Sequence, residues 1–161
     1  APALRVGYLT ANWSVLSRIL PYKTDAGSGS LEQMALAEFC NKNFESHVKT
    51  LRNELKKKSE TICNALDKYF GSVANYTKPH GGIFVWVDLP DNVDTARLYE
   101  LALKEGVAIN PGNEWSINSS GEHKIRLCFG NPSIEEIDEG IKLLAEICQK
   151  EFGIPLQIAN L

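Results

Sequence analysis

The sequence predicts an α/β fold, a small α/β sandwich with its helices on one sheet face. Two patterns carry this. Apolar residues recur at spacings of three and four behind capping signals. Between those stretches stand short β-branched and aromatic runs bounded by Gly, Pro and Asn. From Gly71 onward the order is strand, helix, strand, strand, helix, which lays helices against a shared sheet.

Leu4-Arg5-Val6-Gly7-Tyr8-Leu9 reads as an opening strand, and Asn12 or Ser14 as the cap of a short helix ending before Pro21. The stretch from Tyr22 to Ser30, with Gly27-Ser28-Gly29-Ser30, is the most flexible-looking of the chain. It lacks the Gly-Lys-Ser/Thr ending of a phosphate loop, and no strand leads straight into it. Ser30 with Gln33 forms a capping box for a helix whose apolar side is Leu31, Met34, Leu36, Ala37 and Phe39. A second, longer helix is predicted from about Ser46 to Phe70, with Val48, Leu51, Leu55, Ile62, Leu66 and Tyr69/Phe70 on its stripe. Lys56, Lys57 and Lys58 fall mostly off that stripe and read as a solvated face. A helix of this length often links two bodies of a protein.

Ile83 to Leu89 is the next strand, stopped by Pro90. Asp94 caps a helix holding Ala96, Leu98, Leu101, Ala102 and Leu103, which Gly106 terminates. Val107-Ala108-Ile109 reads as a short strand running into the turn Asn110-Pro111-Gly112, and Lys124 to Phe129 as another strand. Pro132 and the capping box of Ser133 and Glu136 open the last helix, with Ile134, Ile137, Ile141, Leu144, Ala145 and Cys148 on one side.

Composition narrows the function classes. The 161 residues are 43% hydrophobic and 23% charged, and 17 Lys+Arg against 20 Asp+Glu leave a formal charge of −3. That balance argues against a nucleic-acid surface or a polybasic membrane anchor for this stretch. No apolar run approaches the roughly 18 residues of a membrane span, and no signal-peptide pattern opens the sequence, which points to a cytoplasmic protein. The abrupt start, Ala-Pro-Ala-Leu-Arg running at once into a strand-like segment, suggests a piece of a longer chain. Cys40, Cys63, Cys128 and Cys148 show no paired spacing and read as reduced thiols, with Cys40, Cys63 and Cys148 in helical cores. The three histidines, His47, His80 and His123, form no metal-ligand spacing.

Two arginines stand out. Alternation in the strand 124–129 puts Ile125, Leu127 and Phe129 on one face and Lys124, Arg126 and Cys128 on the other. An arginine centred there can hold a carboxylate bidentately, or can simply be a solvated residue on an exposed sheet face. Arg5, between Leu4 and Val6, poses the same choice between a phosphate and an edge position. The turn from Asn110 to Trp115 can line a pocket, as loops on rigid strands often do. No activated nucleophile is evident: Cys128 has no histidine near it in sequence, and His80 before Gly81-Gly82 reads as a turn residue.

Four motifs in order carry a resemblance. They are Ala1-Pro-Ala-Leu-Arg-Val-Gly-Tyr-Leu9, Pro79-His-Gly-Gly-Ile-Phe-Val-Trp86, Gly106-Val-Ala-Ile-Asn-Pro-Gly112, and Ile125-Arg-Leu-Cys-Phe129 before Pro-Ser-Ile-Glu-Glu. Together they cover nearly the whole chain and resemble the C-terminal portion of fold-type I, class I/II pyridoxal-phosphate aminotransferases, nearest the aminoadipate/kynurenine aminotransferase-like branch. The resemblance implies the C-terminal part of the pyridoxal-phosphate-dependent transferase fold: a long linking helix plus a small α/β sandwich domain. Residues 1–30 would end the large cofactor-binding domain and include an interface loop, 31–70 would be linking helices, and 71–161 the small C-terminal domain.

The resemblance also implies roles. Arg126 matches the arginine that grips the substrate α-carboxylate, and Arg5 the one that binds the cofactor phosphate. Gly27 to Leu31 would lie near the interface of a homodimer. Trp115 stands where relatives usually have Phe or Tyr, and Ser116 replaces a common aromatic, which leaves the side-chain preference of the pocket open. The Schiff-base lysine is expected just upstream of Ala1, so no catalytic residue is assigned in this chain, and the 161 residues alone are expected to be inactive. The expected whole is a cytoplasmic, homodimeric enzyme acting on an amino acid and a 2-oxo acid, in which this piece meets the N-terminal region of the same protein. Two rival readings are an aminotransferase-like effector domain of a transcription regulator and a stand-alone α/β binding module.

Overall fold

The structure is a computed structural model that describes residues 2–117 and 119–155. Ala1, the first residue of the opening motif, and the end of the expected small domain lie outside the described residues. The chain divides into two compact units, Ala1–Thr50 and Leu51–Leu161.

In the first unit the expected opening strand is absent. Pro2–Leu4 form a 3₁₀ turn, Arg5 follows in the left-handed region at φ 54°, and the next residues run without regular structure. An isolated β-patterned hexapeptide has no ladder to satisfy its backbone groups, and the described part of this unit offers no strand to pair with. Helix α1, Trp13–Ile19, starts after Asn12 and gives way to the 3₁₀ turn Leu20–Tyr22 at Pro21, as the sequence predicts. At the glycine-rich stretch, the Gly27 N–H donates to the Asp25 carboxylate at 2.6 Å and Gly27 takes φ 90°.

Helix α2 runs without a break over Ser30–Tyr69. The sequence suggested two helices with a gap near residues 40–45. That gap holds no Gly or Pro, and its polar side chains fold back onto the helix: Asn43 Nδ2 donates to the Phe39 carbonyl at 3.3 Å, and Ser46 Oγ to the Asn43 carbonyl at 3.0 Å. Ser30 lies inside the helix rather than capping it. Instead the Gln33 N–H reaches the Gly29 carbonyl at 3.2 Å and the Gln33 side-chain amide reaches the Ser28 carbonyl at 2.9 Å. Cys40 is half-buried, not a core residue. The helix stops at Gly71, whose φ of 57° suits the left-handed residue that ends helices.

The second unit is the predicted sandwich. Its sheet has the order β1-β2-β4-β3, with β1 at Asn75–Tyr76, β2 at Phe84–Asp88, β3 at Asn110–Pro111 and β4 at Lys124–Cys128. All neighbours are antiparallel, in the register Trp86↔Arg126 between β2 and β4 and Asn110↔Arg126 between β3 and β4. One face, Val85, Val87, Ile125 and Leu127, is buried. It forms a single core with Ile62, Cys63, Ala65 and Leu66 of α2, Leu98 and Ala102 of α3 (Thr95–Lys104), and Ile137, Ile141, Leu144 and Cys148 of α4 (Ile134–Phe152). The helices therefore cover one face only.

Both caps predicted in this unit form, whereas Asn12, at the cap position of α1, makes no side-chain cap hydrogen bond. Asp94 accepts from the Ala96 and Arg97 N–H groups at 3.0 Å each. Glu136 N–H donates to Ser133 Oγ at 3.1 Å while Ser133 N–H donates to the Glu136 carboxylate at 2.6 Å. The strand expected at 107–109 instead pairs at Asn110–Pro111; Ile109 is buried, and the Val107 N–H is tied back to Ala102 of α3 at 2.8 Å. Proline is tolerated there because β3 is an edge strand. The two-residue β1 was not foreseen; its Tyr76 hydroxyl donates to Asp67 at 2.7 Å, joining the edge to α2.

Candidate functional site

The open face of the sheet carries Phe84, Trp86 and Asp88 from β2 opposite Cys128, Arg126 and Lys124 from β4, the alternation the sequence implied. Lys124 Nζ reaches the Asp88 carboxylate at 3.1 Å, so its charge is matched. Arg126 has no carboxylate partner among the described residues. Its surroundings are nonetheless built around it.

Nη2 of Arg126 donates to Asn110 Oδ1 at 3.2 Å, across the β3–β4 pair. The guanidinium carbon lies 3.4 Å from the centre of the Trp115 ring and 4.2 Å from that of Phe84. At 3.4 Å the indole must lie face-on, covering the flat side of the guanidinium while leaving the in-plane N–H groups free. Each such contact contributes about 0.5–2 kcal/mol, more as water is excluded. The Nε–H is buried and has no hydrogen-bond partner among the described residues. A buried donor left unmade costs about 1–3 kcal/mol, which a bound anion would relieve.

The loop that brings Trp115 over Arg126 depends on two glycines. Residues Gly112–Trp115 form a 3₁₀ turn directly after β3. A Cβ on Gly112 would stand 2.4 Å from the Gly121 carbonyl oxygen and 2.8 Å from that of Lys124, and one on Gly121 would stand 2.4 Å from the Gly112 oxygen. Only glycine allows these backbones to approach so closely. Nearby, the buried Thr95 hydroxyl donates to the Glu122 carbonyl at 2.9 Å and ties the start of α3 to the loop before β4.

The sequence singled out Arg126 and the Asn110–Trp115 turn, and the structure brings them together. It did not single out Phe84, nor the pairing of Asn110 with Arg126. Phe84 and Arg126 are far apart in the chain, and only the β2–β4 register makes them neighbours. Cys128 is exposed at the end of β4 and His80 is exposed in the loop before β2; no hydrogen bond joins Cys128 to a histidine among the described residues. No group of three or more His, Cys, Asp or Glu among the described residues is placed to hold a metal ion.

Arg5 lies in the other unit, exposed and without an ion pair among the described residues. A left-handed conformation costs a non-glycine residue roughly 1–2 kcal/mol, and such strain is a pointer to function. The accessible Arg5 guanidinium carries the charge and the donors that a phosphate would require.

The second unit is thus an α/β sandwich presenting on its open sheet face a half-buried guanidinium held by Asn110 and two aromatic rings. Residues 1–144 match the family described as Aminotransferase class I and II, and the chain belongs to that family. It is 34% identical over 156 residues to an aminotransferase of Saccharolobus solfataricus, which spans 95% of this chain and 39% of that protein. It is 31% identical over 153 residues to the HTH-type transcriptional regulator YisV of Bacillus subtilis, covering 93% of this chain and 31% of the regulator. Among solved structures it superposes on LysN, an α-aminoadipate aminotransferase from Thermus thermophilus complexed with a phosphopyridoxyl-leucine, with a TM-score of 0.83 and 30% identity. That match covers 92% of this chain and 39% of LysN. The chain therefore spans about two fifths or less of the length of these relatives. The cofactor of the family is pyridoxal 5′-phosphate.

Proposed function

We propose that the chain is the carboxylate-binding C-terminal part of a pyridoxal-phosphate-dependent aminotransferase, which moves an amino group from an amino acid to a 2-oxo acid. The observation that carries this is Arg126: a guanidinium held by Asn110, stacked by Trp115, and left with a buried unpartnered Nε–H. Both substrates bear an α-carboxylate, and one arginine site serves both halves of the reaction.

The chemistry of the residues follows from their geometry. Arg126 binds the carboxylate in the plane of its guanidinium, which fixes the orientation of the substrate Cα. Asn110 occupies one Nη2 proton and so limits rotation of the fork. Trp115 and Phe84 keep water from the guanidinium, which strengthens its grip on an anion. When bound, the cofactor supplies the carbonyl that takes the amino group and the electron sink for carbanion chemistry. Arg5 would hold its phosphate. We place residues 1–30 at the end of the cofactor-binding domain, 31–70 in linking helices and 71–161 in the small domain.

In the full-length protein loaded with cofactor, addition of a suitable amino acid should change the cofactor absorption and release the matching 2-oxo acid. Arg126→Ala should raise KM for donor and acceptor alike, by about ten- to a hundredfold for a charge-assisted pair of roughly 1.5–3 kcal/mol. Unchanged carboxylate binding in that variant would refute the assignment.

A second reading rests on the match to YisV: an aminotransferase-like effector domain of a regulator, in which Arg126 senses an amino acid without turnover. Ligand-dependent DNA binding by the full-length protein, with no 2-oxo acid released from any donor, would select it. No helix among the described residues is long and apolar enough to cross a membrane. The enzyme reading further places the protein in the cytoplasm as a homodimer. Tyr8, Trp13, Tyr22, Leu31 and Met34 in the first unit are all strongly exposed, and such surface is normally covered by the rest of the polypeptide or by a second copy.

A further inference from the structure

We propose that Trp115 is the residue that positions Arg126, with Phe84 as its secondary support, so that the affinity of the site for carboxylates is set by an aromatic platform rather than by the arginine alone. This inference rests on the reading of Arg126 as the carboxylate-binding residue.

Among the described residues, Asn110 supplies the one side-chain hydrogen bond to the Arg126 guanidinium, at 3.2 Å, and Nε–H has none. The β4 backbone and this single 3.2 Å hydrogen bond limit rotation of the fork about the Cδ–Nε bond but leave it some freedom. A ring at 3.4 Å removes that freedom, because the guanidinium must stay parallel to it to keep the contact. Phe84, at 4.2 Å, adds a second apolar surface from the neighbouring strand.

Trp115 is suited to the task because its own backbone is anchored. It ends a 3₁₀ turn whose first residue, Gly112, is locked against Gly121 by a backbone approach that admits no side chain. The platform is therefore preorganised: the indole stands in place before any ligand arrives, and the cost of ordering the arginine is met on folding rather than on binding. Trp115 remains 53% exposed, so it is not simply a core residue. A large aromatic that packs on one charged group and otherwise faces outward has little role in the hydrophobic core.

The size of the ring also matters. Indole is the best cation–π partner among side chains, and a phenyl ring retains part of the interaction, whereas an aliphatic side chain retains none. The test follows this order in the full-length, cofactor-loaded protein. Trp115→Leu should raise KM for both amino donor and 2-oxo acid acceptor by about three- to thirtyfold, with the loss in KM rather than kcat. Trp115→Phe should recover most of the affinity, and Phe84→Leu should show a smaller loss of the same kind.

The decisive measurement is the double-mutant cycle with Arg126→Ala, read through binding of a 2-oxo acid by cofactor absorption or calorimetry. If Trp115 acts through Arg126, its replacement by Leu causes no further loss once the arginine is gone. Wild-type affinity in Trp115→Leu, or an equal loss with and without Arg126, overturns the platform while leaving the arginine's role intact. A failure of the underlying reading has a different signature: Arg126→Ala itself would bind carboxylates normally.

Discussion

Arg126 shows how a single residue can be ordinary in sequence and unusual in place. An arginine on a half-exposed strand usually reaches water, and nothing in Lys124-Ile-Arg-Leu-Cys128 says otherwise. Its neighbours change this: they bury its Nε–H and, among the described residues, return one side-chain hydrogen bond, from Nη2 to Asn110. The residue most exposed to a small change is Gly112. Adding one methyl there forces the backbones of 112 and 121 apart, since contacts of 2.4 and 2.8 Å to carbonyl oxygens cannot be absorbed by a side-chain rotation. Gly112→Ala should destabilise the protein by about 1–3 kcal/mol, as overpacking does. It should also weaken carboxylate binding by moving Trp115. Near-UV circular dichroism of the tryptophan and the urea midpoint check the two effects together; a change in stability with an unaltered aromatic signal would separate Trp115 from Gly112.

The elements themselves were legible where local chemistry decided them. Spacing alone marks Asp94 and Ser133 as caps, and both make the expected bonds. Ser133→Ala should cost about 1 kcal/mol, measured as a shift of the denaturant midpoint, and Ser133→Thr much less. The strands at 84–88 and 124–128 and their buried faces were likewise written in the alternation of apolar and polar residues. The misreadings fall where local signals compete with a partner elsewhere. Leu4–Leu9 has β-forming residues but no strand beside it among the described residues, so it is not a strand. Val107–Ile109 looks more strand-like than Asn110–Pro111, yet the ladder forms where β4 presents its edge, next to Arg126. The apolar stripe of helix α2 weakens near 40–45, which suggests two helices, but side chains that bond back to helix carbonyls keep it continuous. The site followed the same rule: Arg126 was visible, while the Phe84 and Asn110 contacts depend on register and were not.

At the scale of the whole molecule the four cysteines probe how the core is closed. All are free thiols; Cys63 and Cys148 are buried among α2, α4 and the sheet, whereas Cys128 is exposed on the open face. Burial pushes the Cys148 thiol up to about 12, and it raises Cys63 as well. Alkylation requires the thiolate and access to it. Cys128 of the native full-length protein should therefore react first with iodoacetamide, with Cys63 and Cys148 protected until denaturant is added. The pH dependence has a definite sign. The unfolded chain releases the Cys148 proton near its ordinary value of 9, but the folded state retains it until about 12. Across that window the unfolded state binds fewer protons, so folding stability present below pH 9 declines as pH rises. Cys148→Ala removes this contribution and leaves a cavity whose cost does not depend on pH. Urea midpoints at about pH 8 and about pH 10.5 should thus lie further apart for the wild-type protein than for the variant, narrowing the wild-type advantage at the higher pH. If the two proteins lose stability in parallel, the Cys148 thiol is not held protonated by this core.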